Sequence, residues 1–125
     1  QAVSLPLEEY GIYAILALPL GDTPLDQLKT EIDEEIVALK SDLISEKDYQ
    51  KLQNIYENNF VNSNASIQGV ATSLSQYYLF YNDTNLINSS IEIYKSITRE
   101  EIKDVASKYL NDNQRVVMDY LPENK

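Results

Sequence analysis

The sequence predicts an α+β chain with the order strand, four to five helices, strand. One apolar run, GIYAILAL, occupies residues 11–18, and a second, RVVMDYL, occupies residues 115–121. Between them, apolar residues recur every three or four positions, which is the period of amphipathic helices. Only 3 Gly and 4 Pro occur in the 125 residues. This composition leaves little room for the many tight turns of an all-β fold.

The first predicted strand covers residues 11–18. It is apolar at consecutive positions, as expected of a strand that is covered on both faces. Pro19 and Gly21 follow it and mark its end. The preceding residues 4–10 are expected to form a polar approach, or an edge strand interrupted by Pro6.

The first predicted helix begins with Thr23 as N-cap, Pro24 as first helical residue and Asp26 as acidic partner. Its acidic residues are expected to point mostly to water and to add solubility. The alternative, a metal site or a catalytic carboxylate pair, is the weaker interpretation, since carboxylates on a solvated helix face usually only solubilise. The apolar stripe is Leu25, Leu28, Ile32, Ile36, Leu39 and Leu43, and the acidic residues are Glu31, Asp33, Glu34 and Glu35.

Capping residues and the same periodicity predict three or four further helices. Ser45 opens the second helix with Asp48 as partner, and Thr98 opens the last one with Glu101. The expected inner faces are Tyr49, Leu52, Tyr56 and Phe60; Ile67, Val70, Leu74, Tyr77, Tyr78 and Tyr81; Leu86, Ile87, Ile91 and Tyr94; and Ile102, Val105, Ala106, Tyr109 and Leu110.

Polar segments separate these helices. Residues 62–66 are expected to form a kink or short loop, and Asn82 with Asp83 ends the third helix. A further helical segment is expected at residues 84–96, and a loop at residues 111–114.

The Tyr-rich third helix allows two interpretations. Tyr77, Tyr78 and Tyr81 could line a substrate chamber or stack on a ligand. Tyr at helical spacing more often belongs to a core or an interface, with its hydroxyl reaching the surface. We favour the core or interface role.

Two strands do not form a stable sheet unaided. We therefore expect residues 1–125 to be a single partial domain, whose sheet is completed by strands from upstream sequence. The chain begins at Gln1 without an initiator Met, which we interpret as a processed or excised piece of a longer protein. The isolated chain is expected to dimerise by pairing or exchanging its strand edges.

Composition narrows the function classes. With 10 basic and 20 acidic residues the net charge is −10, so we expect no nucleic-acid partner. The charge is interpreted as solubility, with an acidic wall that attracts basic peptides as the alternative. No apolar run approaches the roughly 20 residues that span a bilayer, and no membrane partner is expected. The absence of Cys excludes disulfides and thiol chemistry.

The C-terminal half carries a family resemblance. Residues 97–110 read ITREEIKDVASKYL and residues 115–122 read RVVMDYLP. Together with the Gly11-Ile12-Tyr13 step and the long acidic helix after it, they resemble the C-terminal end of pitrilysin/insulinase-family zinc metallopeptidases, the inverzincins. The similarity covers nearly the whole chain from Tyr10 onward. It consists of packing and capping patterns, whose order and spacing carry the match.

The resemblance implies a half-domain of antiparallel sheet plus helices, and a segment of that peptidase's C-terminal domain. The family holds zinc with an H-x-x-E-H helix and a later Glu in its N-terminal domain. This chain has 0 His, so no ligand carries over, and zinc would belong to the parent's N-terminal domain. The family's substrate-holding Arg/Tyr pair has no match, because Arg99 opens a helix and Arg115 opens a strand. We assign no catalytic or metal residue, and substrate-binding residues are unknown.

The function implied by the resemblance is that of a non-catalytic C-terminal region of a zinc-dependent metallopeptidase. It would form part of the substrate chamber wall and pack against the catalytic half, with peptides as the parent's substrates. One alternative is a fragment of an inactive family member that acts as a partner or structural subunit. Another is an independent helical interaction module. The Ile, Asn, Lys and Tyr bias favours a bacterial source, with periplasm and cytoplasm both open.

Overall fold

The computed structural model describes residues 1–121, which form two strands and five α-helices. The α+β class and the number of helices agree with the sequence prediction. The chain divides into two compact units: Gln1–Leu16 with Ser45–Thr98, and Ala17–Ile44 with the residues from 99 onward. The elements are β1 (Ala2–Pro6), β2 (Gly11–Ile15), α1 (Leu25–Ser41), α2 (Glu46–Ser63), α3 (Ile67–Tyr81), α4 (Leu86–Ser96) and α5 (Arg99–Tyr109), followed by a 3₁₀ turn at Asp112–Gln114.

The first unit opens with an antiparallel hairpin of β1 and β2. Val3 lies opposite Ala14 and Leu5 opposite Ile12. The Leu7 N–H donates to the Tyr10 carbonyl at 2.8 Å, which closes the tight turn between the strands. The predicted strand at residues 11–18 is thus confirmed from its start but ends at Ile15. Residues 4–10 are expected from the sequence to be a polar segment or an edge strand interrupted by Pro6. The structure shows a strand, β1, that ends at Pro6.

Helices α2, α3 and α4 complete the first unit, with α2 and α3 each packed on α4. The predicted cap of α2 is confirmed, since Ser45 Oγ accepts from the Asp48 N–H at 3.0 Å. The break predicted at residues 62–66 is shorter in the structure and covers residues 64–66, because α2 extends to Ser63. Asn82 ends α3 in the left-handed conformation, with φ of 53°, which Asn tolerates better than most residues.

The second unit contains α1 and α5, which bind each other's carboxyl ends. Lys40 Nζ donates to the Leu110 carbonyl at 3.1 Å, beyond the end of α5. Lys103 Nζ donates to the Ser41 carbonyl at 2.6 Å, at the end of α1. These cations satisfy carbonyls that have no partner inside their own helix, and they lie at the negative ends of the helix dipoles.

Two predictions about the second unit are wrong. Helix α1 begins at Leu25 with Pro24 as N-cap, because the Thr23 hydroxyl donates to the Leu20 carbonyl at 2.8 Å instead of capping the helix. Residues 115–121 do not form the predicted closing strand. A strand requires a neighbour to pair its N–H and C=O groups, and the described sheet contains only β1 and β2. Pro122, at the end of the predicted strand, lies outside the described residues.

The core of the described residues is small. Ala106 is the one buried apolar side chain, 4% exposed, and Ser90 is the one buried polar one, 8% exposed. The α1 stripe from Leu25 to Leu39 is half-buried, as predicted. Several positions predicted to face inward are instead exposed, because the apolar stripes are wider than the seams along which the helices pack. These are Leu43, Leu52, Ile67, Tyr78, Tyr81, Val105 and Tyr109.

Candidate functional site

The acidic face of α1 is the first candidate. Glu34 and Glu35 are exposed, and Glu31 accepts a hydrogen bond from Gln27 Nε2 at 2.9 Å. The described residues contain no group of three side chains able to hold a metal ion. The sequence has 0 His and 0 Cys, so carboxylates alone would have to bind zinc here, without the imidazole or thiolate that zinc favours. The geometry supports a solvated helix face.

Asp33 departs from that picture, because it pairs with Arg115. Two guanidinium nitrogens donate to its two carboxylate oxygens, the second at 3.2 Å. The hydrogen bond from Arg115 lowers the pKa of Asp33 below its ordinary range, and the same bond raises the pKa of Arg115. Arg115 also lies 3.3 Å from a carboxylate oxygen of Asp112. The pair attaches the start of the last described segment to α1.

The segment after Arg115, residues 116–121, is here called the terminal apolar segment. It has no secondary structure. Val116 and Met118 are each 87% exposed and Tyr120 is 100% exposed. Val117 and Leu121 are exposed as well, and the charged Asp119 lies between Met118 and Tyr120. Exposed apolar residues this close together are typical of a surface that binds another protein.

The hairpin of the first unit is also apolar and exposed. Leu5 and Ile12 are exposed on one face, and Tyr13 and Ile15 on the other. A two-stranded hairpin of this kind is only marginally stable in water, and further strands or a covering layer stabilise it. The hairpin is therefore the second candidate interaction surface.

The tyrosines of α2 and α4 hold the first unit together. The rings of Tyr56 and Tyr94 stack with centroids 3.7 Å apart and planes 1° apart. The Tyr49 hydroxyl donates to the Ile97 carbonyl at 2.6 Å. Lys95 Nζ lies 2.7 Å from a Glu57 carboxylate oxygen. Burial, and then the nearby Tyr77, raise the pKa of Tyr56.

The Tyr-rich helix α3 divides between two environments. Tyr77 is half-buried within the first unit, whereas Tyr78 and Tyr81 are exposed. Tyr77 and Tyr81 form a tilted ring contact with centroids 6.4 Å apart. Among the described residues, one shallow depression lies on α3 and another on α2, and each is lined by residues of a single helix. Tyr78 and Tyr81 are therefore available to a partner surface.

Sequence reasoning missed three contacts: the Asp33–Arg115 pair, the Tyr56–Tyr94 stack and the Lys40 contact with α5. Each contact joins residues that are far apart in the chain, so no local sequence pattern predicts it. Within residues 1–121, no helix is long and apolar enough to cross a membrane.

Comparisons of the chain with protein-family models, curated proteins and solved structures found no match. The features of the molecule that bear on function are its sequence pattern and two candidate interaction surfaces, the terminal apolar segment and the hairpin.

Proposed function

We propose that this chain is the non-catalytic C-terminal region of a pitrilysin/insulinase-type zinc metallopeptidase. In that role it forms part of the substrate chamber wall and packs against the catalytic half of the parent protein. The proposal treats residues 1–125 as a partial domain whose apolar surfaces are covered by the rest of that protein.

The exposure of apolar side chains is the observation that carries this proposal. Val116, Met118 and Tyr120 are exposed almost completely, although residues of this type normally lie inside a protein or an interface. The hairpin exposes apolar residues on both of its faces. Burying these residues against another protein would stabilise the complex by about 25 cal/mol for each Å² of apolar surface removed from water.

The residues of this chain do not fit a zinc site. The sequence has 0 His and 0 Cys, and the described residues bring together no group of three metal-ligating side chains. The proposed role is therefore structural: this chain helps to shape a chamber and to keep water and folded proteins out of it. The metal chemistry belongs to the catalytic half of the parent.

The test starts from the coding sequence that precedes the Gln1 codon. We expect it to encode an H-x-x-E-H helix with a distal Glu. The full-length parent should cleave a fluorogenic peptide, and a parent that lacks residues 1–125 should not. Adding the separate 125-residue chain should restore cleavage. An upstream region of similar pattern without the motif would instead support the inactive partner subunit, and full activity of the truncated parent would contradict both.

A matched pair of variants tests the surface itself. Met118→Asp places a charge in the terminal apolar segment, so it should weaken docking and lower kcat/KM by more than about tenfold. Ser107→Asp places the same charge on an exposed polar position of α5 and should leave activity unchanged. Both variants must keep the wild-type helical circular dichroism. Equal activity of the two variants would argue against docking through this segment.

A further inference from the structure

The hairpin has a defined set of outward-facing backbone groups. Gln1 and Leu16 exchange two hydrogen bonds at 2.8 Å each, and the Leu7 N–H donates to the Tyr10 carbonyl. In an antiparallel pair, hydrogen-bonded positions alternate with positions that point away from the partner strand. The register then directs the N–H and C=O groups of Gly11, Tyr13 and Ile15 away from β1.

The two edges of the hairpin differ in their ability to accept another strand. On β1, the outward positions are Ala2, Ser4 and Pro6, and Pro6 has no N–H to donate. Proline at an edge is a known protection against strand addition. On β2 the outward positions contain no proline, lysine or other charged residue. No described strand lies on that side of β2.

We propose that the free edge of β2 binds the same edge of a second copy of this chain. Two β2 strands pair antiparallel about a two-fold axis at Tyr13 and form a four-stranded sheet. In this register Tyr13 lies opposite Tyr13 of the other copy, and Gly11 lies opposite Ile15. All the outward groups of Gly11, Tyr13 and Ile15 are then hydrogen-bonded.

Side-chain chemistry supports a second copy as the occupant. Both faces of the hairpin are apolar, so an added strand must itself be uncharged and apolar on both faces. The β2 sequence GIYAI meets this requirement. Glu8 and Glu9, at the turn, lie beyond the paired residues, so no like charges face each other. Two paired five-residue strands bury less surface than a standard protein–protein interface, which buries about 1,600 Å² in total. We therefore expect a weak dimer.

The first experiment is sedimentation velocity of the isolated 125-residue chain over a roughly thousandfold concentration range. We expect the mass to rise from monomer to dimer. Tyr13→Pro should abolish this rise, because it removes an outward N–H without removing a hydrogen bond between β1 and β2. Ser4→Pro, the matched change on the outward edge of β1, should leave it intact. A monomer at every concentration, or equal behaviour of the two variants, would overturn the proposal.

Single-cysteine variants test the register, and they do so even if the proline variants fail to fold. The chain has 0 Cys, so a variant disulfide can join only two copies. Residues in a hydrogen-bonded antiparallel pair have Cα atoms about 5.5 Å apart, within disulfide range. Under mild oxidation, Tyr13→Cys should form at least about tenfold more covalent dimer than Ser4→Cys. Equal yields would refute pairing at Tyr13. Neither experiment needs zinc, peptide or the proposed parent, so failure here leaves the proposed function standing.

Discussion

Asp33, in the middle of α1, and Arg115, directly after the 3₁₀ turn, form a two-pronged ion pair across 82 residues of sequence. The pair places the start of the terminal apolar segment beside α1. Asp33 is the one member of the predicted acidic face that has this role. The other acidic residues of that face follow the prediction that they contact water, and Asp33 departs from it because a cation lies within reach.

The ion pair predicts a pH dependence of stability. The pKa of Asp33 is lowered by Arg115, so its contribution is present above the ordinary Asp value of 3.8 and is lost as the pH falls through the lower folded value. Asp33→Asn should lower the urea midpoint at pH 7, and the difference from wild type should shrink under acid conditions. The effect should be modest because both side chains are partly exposed. Glu34→Gln, one residue along α1, is the control and should match wild type. A constant difference at all pH values would contradict the argument.

The raised pKa of Tyr56 predicts that the stability of the chain falls at alkaline pH. Burial raises the pKa of Tyr56 above its ordinary value of 10.0, so its contribution is full below that pH and is lost as the pH rises through the folded value. Tyr56→Phe keeps the ring against Tyr94 but removes the titrating hydroxyl. Above pH 10 we expect this variant to lose less stability than wild type in thermal unfolding. Tyr78→Phe alters an exposed ring and should follow wild type. Parallel loss in all three proteins would exclude Tyr56 as the cause.

Gly69 lies in the first turn of α3, where the neighbouring backbone leaves no room for a side chain. A Cβ at this position would collide with the Ser63 carbonyl oxygen at the end of α2. In most helices Gly→Ala is stabilising by up to about 1 kcal/mol. Here we expect Gly69→Ala to destabilise the chain by about 1–3 kcal/mol, as overpacking does. Thr72→Ala, at an exposed position of the same helix, should stay within about 0.5 kcal/mol of wild type in urea unfolding. A Gly69→Ala variant as stable as wild type would show that α2 and α3 separate easily.

Part of the fold follows directly from the sequence. Ser45 caps α2, Asn82 ends α3, and the stripe on α1 is half-buried as predicted. A helix cap depends on atoms three residues away, and an apolar stripe depends on the helical period. Both are therefore determined by residues that are close in the sequence. The sequence predicts four to five helices and the described residues form five, and the strand predicted from residue 11 starts at Gly11.

The sequence by itself therefore determined the α+β class, the cap of α2 and the end of α3. It also contains no His and no Cys, which removes the imidazole and thiolate ligands that zinc favours. Only the tertiary structure decided that Asp33 pairs with Arg115, that Tyr56 stacks on Tyr94, and that residues 115–121 form no strand. The physical reason is the separation in sequence of the residues that interact. Helical hydrogen bonds close within four residues, whereas an ion pair, a ring stack or a strand ladder requires a partner that the chain brings close only by folding.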